Sequence, residues 1–169
     1  MGIFKKKVPA AARKRIQNAA DAGDASAMFD LGQIAEDEGD FEAAKKWYRL
    51  SADAGHTLAI FNSGVIARDE GDLKAAKKWF QLAADKGDSD AFFDLALIAY
   101  QEGDLKAAKK WYRLSADAGS ADSMINLGVF AQQEGDLKAA KKWYRLAFDN
   151  GHPEAMNYIN ALSGHIKIF

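Results

Sequence analysis

The sequence predicts an all-α, right-handed α-solenoid of antiparallel helix hairpins, about ten helices long. The first observation is a Gly-Asp pair that recurs every 32 residues and begins at Gly39, Gly71, Gly103 and Gly135. The second is that every tryptophan keeps the same step, at Trp47, Trp79, Trp111 and Trp143. The third is another glycine series halfway between, at Gly23, Gly55, Gly87, Gly119 and Gly151. A fixed period of this size is typical of stacked repeats, and two glycine marks per period indicate two helices per repeat.

Each Gly-Asp pair opens one helix of the repeat, here called a B helix. In residues 40–54, Ala44 and Tyr48 share one face at helical spacing, and charged residues occupy the other face. Asp40 stands at the N-cap, where its carboxylate can accept hydrogen bonds from amides of the first turn. Gly55 follows the helix, where a left-handed backbone favours glycine. The B helices are expected at about 9–22, 40–54, 72–86, 104–118 and 136–150.

The other helix, here called an A helix, lies between a halfway glycine and the next Gly-Asp pair. Ala27, Leu31 and Ile34 form the apolar side of its first copy. In the last copy Pro153 falls on the first helical position, which proline tolerates because it has no amide hydrogen. The Gly-Asp link is short, so consecutive A and B helices should pack as antiparallel hairpins. The A helices are expected at about 24–38, 56–70, 88–102, 120–134 and 152–163.

We expect one solenoid domain over residues 9–163, between a basic N-terminal arm at 1–8 and a C-terminal tail at 164–169. The repeat is degenerate at both ends. Ile16 replaces the tyrosine of a B helix, and Asn160 replaces the glycine of an A helix. Degenerate, more polar end copies are typical of the caps of a solenoid, so the domain should carry a half-repeat cap at each end.

The composition argues against several classes of function. The chain has 169 residues, a formal net charge of −1 and no cysteine, which excludes disulfides, thiol nucleophiles and thiolate metal sites. Three histidines without metal-binding spacing give no reason to expect a metal or a cofactor. The balanced charge argues against nucleic acid, and no apolar run approaches the roughly 18 residues of a membrane span. Because no apolar stretch follows the charged N terminus and an open solenoid lacks an enclosed acid–base pair, we expect a cytoplasmic protein that is not an enzyme.

The tryptophans and a column of small residues are expected to serve the core. Each tryptophan lies on the apolar stripe of a B helix, next to Tyr48 or its equivalents, where the following repeat would bury it. The lysine pairs, such as Lys45 and Lys46, form a basic stripe that we interpret as a solvated face rather than an RNA-binding strip. The small residues that would allow close helix contact are Gly32, Gly64, Ala96 and Gly128.

The repeat also carries a family resemblance. Its A helices read Ala-x-x-x-Leu-Gly, and its B helices read Gly-Asp-Leu-Lys-Ala-Ala-Lys-Lys-Trp-Tyr-Arg-Leu-Ser-Ala-Asp-Ala-Gly. This pattern resembles the Sel1-like repeat, a relative of the tetratricopeptide repeat, over nearly the whole chain. Two features depart from that family: the period is shorter, and the large aromatic near the end of the A helix is alanine, as at Ala35. The near identity of the copies that start at Asp72, Asp104 and Asp136 indicates recent duplication or consensus design, and both remain open.

The resemblance implies that the A helices line a concave groove. The A helices also differ most between copies, and residues that the fold does not fix can vary toward a partner. Polar side chains beside exposed apolar ones suit an extended peptide, whose backbone pairs with amides while its side chains enter pockets. The groove would be about 40 Å long and hold about a dozen extended residues, or one amphipathic helix. The residues expected to line this peptide-binding groove are Phe61, Asn62, Val65, Arg68, Phe93, Asp94, Leu97, Tyr100, Ile125, Asn126, Val129 and Gln132.

Two alternatives to this interpretation stay open. The column of Phe29, Phe61 and Phe93 can belong to the groove or to the core between repeats. The chain can also be a ligand-free structural or designed repeat scaffold, which would self-associate if the apolar tail at 164–169 entered a neighbour's groove.

Overall fold

Ten α-helices make up most of residues 8–165, the part of the chain that this computed structural model describes. No strand occurs in that part, so the prediction of an all-α fold with about ten helices is confirmed. None of these helices combines the length and the apolar character needed to cross a membrane. The helices are α1 (Ala10–Asp21), α2 (Ala25–Asp37), α3 (Phe41–Asp53), α4 (Thr57–Asp69), α5 (Leu73–Asp85), α6 (Asp90–Gln101), α7 (Leu105–Asp117), α8 (Ala121–Gln133), α9 (Leu137–Asp149) and α10 (Ala155–His165).

The helix ends follow the predicted capping residues. The Asp40 carboxylate accepts a hydrogen bond from the Ala43 amide at 3.0 Å, which confirms the N-cap of α3. Gly55 has φ +92°, and the His56 amide behind it donates to the Ser51 carbonyl at 3.1 Å. A left-handed glycine that turns the chain back onto the last helical turn ends the helix without a side-chain penalty. The same aspartate cap recurs at Asp72, Asp104 and Asp136.

The start of the last helix differs from the prediction. Helix α10 begins at Ala155, so Pro153 lies in the turn before it and not on the first helical position. His152 explains the delay, because its Nδ1 atom accepts from the Glu154 amide at 3.2 Å and its carbonyl accepts from the Ala155 amide at 3.3 Å. These two bonds make a local turn that satisfies the amides a longer helix would have left unpaired.

The described residues fall into two compact units, and the chain passes from the first to the second between Asp88 and Ser89. The first unit holds α1–α5 and the second holds α6–α10. Within each unit, helices that are adjacent in the chain pack against each other, as the hairpin prediction requires.

The core of each repeat is built on a tyrosine or phenylalanine of the B helix, and the tryptophan beside it is less buried than predicted. Tyr48 and Tyr144 are buried, whereas Trp47 and Trp143 are only half-buried. Neighbouring residues on a helix point about 100° apart, so only one of the two aromatics can face the A helix directly. The prediction that stacking buries the tryptophans is therefore wrong in degree.

Part of the basic stripe is neutralised within the protein. Lys45 forms an ion pair with Glu70, and Lys109 forms the equivalent pair with Glu134, 25 residues further along the chain in both cases. Each pair joins a B helix to the end of the next A helix. This arrangement supports the interpretation of the stripe as a solvated face.

Candidate functional site

Two of the B-helix tyrosines donate hydrogen bonds to residues of the most variable A-helix column. The Tyr48 hydroxyl donates to Glu36 Oε2 at 2.6 Å, and the Tyr144 hydroxyl donates to Gln132 Oε1 at 2.9 Å. In both cases the acceptor lies 12 residues before the tyrosine. Burial raises the pKa of both hydroxyls, and the Glu36 carboxylate raises that of Tyr48 further. Glu36 and Gln132 thus support the fold, although they lie in a column that varies between copies.

The third copy breaks this pattern. Tyr112 occupies the position of Tyr48 and Tyr144, but the residue 12 positions earlier is Tyr100, which has no carbonyl or carboxylate to accept from it. Tyr112 is only 2 % exposed, and its hydroxyl has no hydrogen-bond partner among the residues that the structure describes. Burial, followed by the nearby Tyr100, raises the pKa of Tyr112 from 10.0 to about 12.

A pocket of about 190 Å³ lies in the second unit, between α6 and α8, and Tyr112 of α7 forms part of its wall. Its aromatic side is continuous: the Phe130 ring is 5.9 Å from that of Tyr100 and 6.1 Å from that of Tyr112. Lys109 holds its ammonium 5.2 Å from the centre of the Phe130 ring while it pairs with Glu134. The pocket is lined by Leu97, Tyr100, Tyr112, Asn126, Val129, Phe130 and Gln133.

The pocket combines an apolar surface with the hydrogen-bonding groups of four side chains. Asn126 donates through Nδ2 to the Asp122 carbonyl at 3.1 Å, and among the described residues no donor reaches its Oδ1 atom. In the pocket wall, the Tyr112 hydroxyl is a donor and the Asn126 carbonyl an acceptor without a partner among the described residues. The exposed side chains of Tyr100 and Gln133 add further hydrogen-bonding groups. Its other lining is mostly aliphatic and aromatic.

The structure brings four of the predicted groove residues together in this pocket: Leu97, Tyr100, Asn126 and Val129. Other predicted residues of the second unit lie elsewhere. Asp94 and Ile125 are buried, at 6 % and 7 % exposed, so a bound segment would reach little of either. Phe93 is half-buried with its ring 5.9 Å from that of Tyr112, and Gln132 is exposed but held by the Tyr144 hydroxyl.

The predicted groove residues of the first unit are half-buried. The Phe61 ring lies 5.4 Å from that of Phe80, so it shares its surface between solvent and the B helix. Arg68 bonds to the neighbouring Asp69 through Nη2 at 3.1 Å. The remaining two, Asn62 and Val65, lie on the same helix, α4.

The phenylalanine column serves the core as well as the surface. Phe29 is buried, stacked 4.6 Å from the His56 ring and 5.4 Å from the Tyr48 ring. Phe61 and Phe93 pack on the aromatic residue of the following B helix in the same manner but stay half-exposed. Both interpretations of the column therefore describe part of it.

Sequence reasoning missed Tyr112, Phe130 and Gln133 as pocket residues. Two signals were available in the sequence. Phe130 is the only aromatic residue in a column that otherwise reads Ile34, Ile66 and Ile98. The residue 12 positions before Tyr112 is Tyr100, whereas the residue 12 positions before Tyr48 or Tyr144 is a glutamate or a glutamine. The meaning of the second signal becomes clear only once the tyrosine–acceptor pairs are known from the structure.

The described residues contain no group of three or more histidine, aspartate or glutamate side chains that could hold a metal ion.

Family models of the tetratricopeptide repeat match three stretches of the chain. One model matches residues 25–54 and 121–149, and a second matches residues 62–123. Together the three stretches cover more than half of the sequence. The comparison with curated protein sequences returns no match.

Solved structures show the same fold. A protective antigen of uropathogenic Escherichia coli strains, which displays an SLR fold, is 26 % identical with a TM-score of 0.78, over 98 % of this chain but 39 % of that one. A Sel1 repeat protein from Oxalobacter formigenes is 25 % identical with a TM-score of 0.74, over 94 % of this chain and 70 % of its own. YrrB, a TPR protein with an unusual peptide-binding site, is 22 % identical with a TM-score of 0.62, over 90 % of this chain and 82 % of its own. These likenesses confirm the helical-repeat solenoid class, and the chain spans about two fifths of the antigen's length.

Proposed function

Since the chain belongs to the tetratricopeptide repeat family, in its Sel1-like branch of folds, we propose that it is a protein-interaction module that holds a segment of a partner protein at the pocket of the second unit. The observation that supports this proposal is the pocket itself. It brings four of the predicted groove residues together with an aromatic wall, and its lining includes the unpaired Tyr112 hydroxyl and Asn126 carbonyl. Concave apolar sites with a few placed polar groups are the usual form of a binding site.

The size of the pocket defines what it holds. A volume of about 190 Å³ corresponds to about six water molecules, since each occupies about 30 Å³ in the liquid. That space suits one aliphatic or small aromatic side chain and not a folded surface. Tyr100, which is 49 % exposed, stands at the edge of the pocket and can close over such a side chain.

The likeness to YrrB supports a peptide as the partner, because that protein is a TPR protein with a peptide-binding site. The partner segment is proposed to run across α6 and α8, with one side chain in the pocket. For the first unit by itself, Phe61, Asn62, Val65 and Arg68 of α4 are proposed as residues that contact a bound peptide.

A library selection tests the proposal directly. The purified chain is presented to a phage-displayed library of random 12-residue peptides, and binders are measured by isothermal titration calorimetry. The variant Leu97→Glu with Tyr100→Ala puts a charge in the pocket and removes its edge, so we expect it to lose the selected peptides. The matched control, Leu105→Glu with Phe148→Ala, makes the same kinds of change at exposed residues outside the pocket and should keep them.

Two outcomes would count against the proposal. If the library yields no peptide that binds the wild-type chain, a scaffold without a ligand becomes the better description. If both double variants keep binding equally, the peptides bind elsewhere on the protein. Circular dichroism of each variant establishes that helicity is unchanged before binding is compared.

A further inference from the structure

Tyr112 is 2 % exposed and lines the pocket, and its hydroxyl is a donor without an acceptor among the described residues. The four copies of this position provide an internal comparison: Tyr48 and Tyr144 have acceptors in Glu36 and Gln132, and Phe80 has no hydroxyl. Only Tyr112 keeps a hydroxyl without a partner among the described residues, and it is the one that lines the pocket. A hydroxyl that lines a pocket and has no partner within the protein can donate to a ligand, and a ligand that covered it without an acceptor would leave a costly buried donor.

We infer that Tyr112 donates a hydrogen bond to a main-chain carbonyl of the partner segment whose apolar side chain fills the pocket. This inference rests on the proposed function and specifies its chemistry. Tyr112 is then a specificity-determining residue, because an occupant without an acceptor at this point would leave the hydroxyl buried and unpaired.

The lining of the pocket indicates why the acceptor belongs to the main chain. Leu97, Val129 and Phe130 select an apolar side chain, which brings no acceptor of its own. The acceptor nearest to such a side chain is the carbonyl of its own or the preceding peptide unit. Each peptide unit also carries one N–H donor, and the Oδ1 atom of Asn126, which lines the same pocket and has no donor among the described residues, could accept from it.

Tyr112 and Asn126 together therefore match the donor and the acceptor of an extended peptide backbone. At neutral pH the tyrosine keeps the proton that it donates, as it would at its ordinary pKa of 10.0, and burial raises the pKa further, to about 12. Because Tyr112 and Asn126 bind the main chain, they give affinity for a peptide of any sequence. The apolar wall of the pocket selects the side chain that enters it.

The test compares two tyrosine-to-phenylalanine variants against the tightest 12-residue peptide from the library. Tyr112→Phe removes the proposed donor, and we expect the dissociation constant to rise roughly three- to tenfold, as for the loss of one hydrogen bond. The matched control is Tyr144→Phe, which removes a hydroxyl that is already bonded to Gln132 and should bind the peptide as the wild type does. Unchanged affinity of Tyr112→Phe would overturn the inference.

A double-mutant cycle locates the acceptor. The same peptide is synthesised with single amide-to-ester replacements, each of which weakens one main-chain carbonyl and removes the N–H of the same peptide unit. At one position the replacement should weaken binding to the wild type more than it weakens binding to Tyr112→Phe. Additive losses at every position would overturn the assignment to the main chain. A library without binders, in contrast, contradicts the proposed function and not this inference alone.

Discussion

Tyr144 lies against the bare backbone of Gly128: a Cβ atom at position 128 would be 2.3 Å from Cε1 of the tyrosine ring. The same relationship joins Gly32 to Tyr48, at 2.6 Å. The ring fills the space that any other residue would need for its side chain, so α8 and α9 approach closely. This confirms the predicted role of the small-residue column and explains why its glycines accompany the aromatic residues 16 positions later.

Replacing Gly128 by alanine should destabilise the protein despite the higher helix propensity of alanine. The propensity gain of about 0.5–1 kcal/mol is smaller than the overpacking cost of about 1–3 kcal/mol. We expect Gly128→Ala to lower the free energy of unfolding by about 1 kcal/mol, measured by urea denaturation.

The third copy provides the control for this prediction, because alanine occurs there naturally. Ala96 faces Tyr112 from the equivalent position and is fully buried. Ala96→Gly should therefore also destabilise, since it loses both helix propensity and packing. An increase in stability of Gly128→Ala would show that the Tyr144 ring can move aside without cost.

The repeat made most of the fold predictable from sequence. Gly39 and Asp40 mark a helix end and a helix start because each satisfies a local backbone requirement that needs no knowledge of the rest of the fold. The relative burial of Trp47 and Tyr48 was not predictable, because both lie on the apolar stripe and only packing against α2 decides between them.

The candidate site was predictable only in part. Leu97, Tyr100 and Val129 were identified because they vary between copies at surface spacing. Variation alone cannot separate a residue that faces a partner from one that serves its own repeat, as Gln132 does through Tyr144. The unpaired hydroxyl of Tyr112 required the three-dimensional partners of its equivalents to be known.

The tyrosine hydroxyls should differ in their contribution to stability. Tyr48→Phe and Tyr144→Phe each remove a hydrogen bond and should lower the free energy of unfolding by about 1 kcal/mol. Tyr112→Phe removes a hydroxyl without a partner and should change it by less than about 0.5 kcal/mol. Urea denaturation of the three variants at pH 7 measures these differences in the free energy of unfolding. A loss at Tyr112 equal to the other two would reveal an internal acceptor for it.

Stability should fall in alkaline solution above pH 10. The pKa of Tyr112 is raised from its ordinary value of 10.0 to about 12 by burial, so between these pH values the unfolded chain loses a proton that the folded chain retains. The stabilisation is complete below pH 10 and is lost as the pH rises toward 12. Urea midpoints at pH 8, 10 and 11 should decline less steeply for Tyr112→Phe than for the wild type. Parallel declines would mean that this hydroxyl ionises normally in the folded protein.

Ser63 is a buried hydroxyl whose removal should stabilise the protein. It is 2 % exposed, and its Oγ atom has no hydrogen-bond partner in the described part of the chain. An unpaired buried group costs about 1–3 kcal/mol, so Ser63→Ala should raise the free energy of unfolding by about 1 kcal/mol, measured by urea denaturation. Ser123→Ala is the matched control and should lower it, because the Ser123 hydroxyl donates to Ser115 Oγ at 2.7 Å. If both variants lose stability alike, the Ser63 hydroxyl is satisfied by a buried water, and burial without a partner is the wrong description of it.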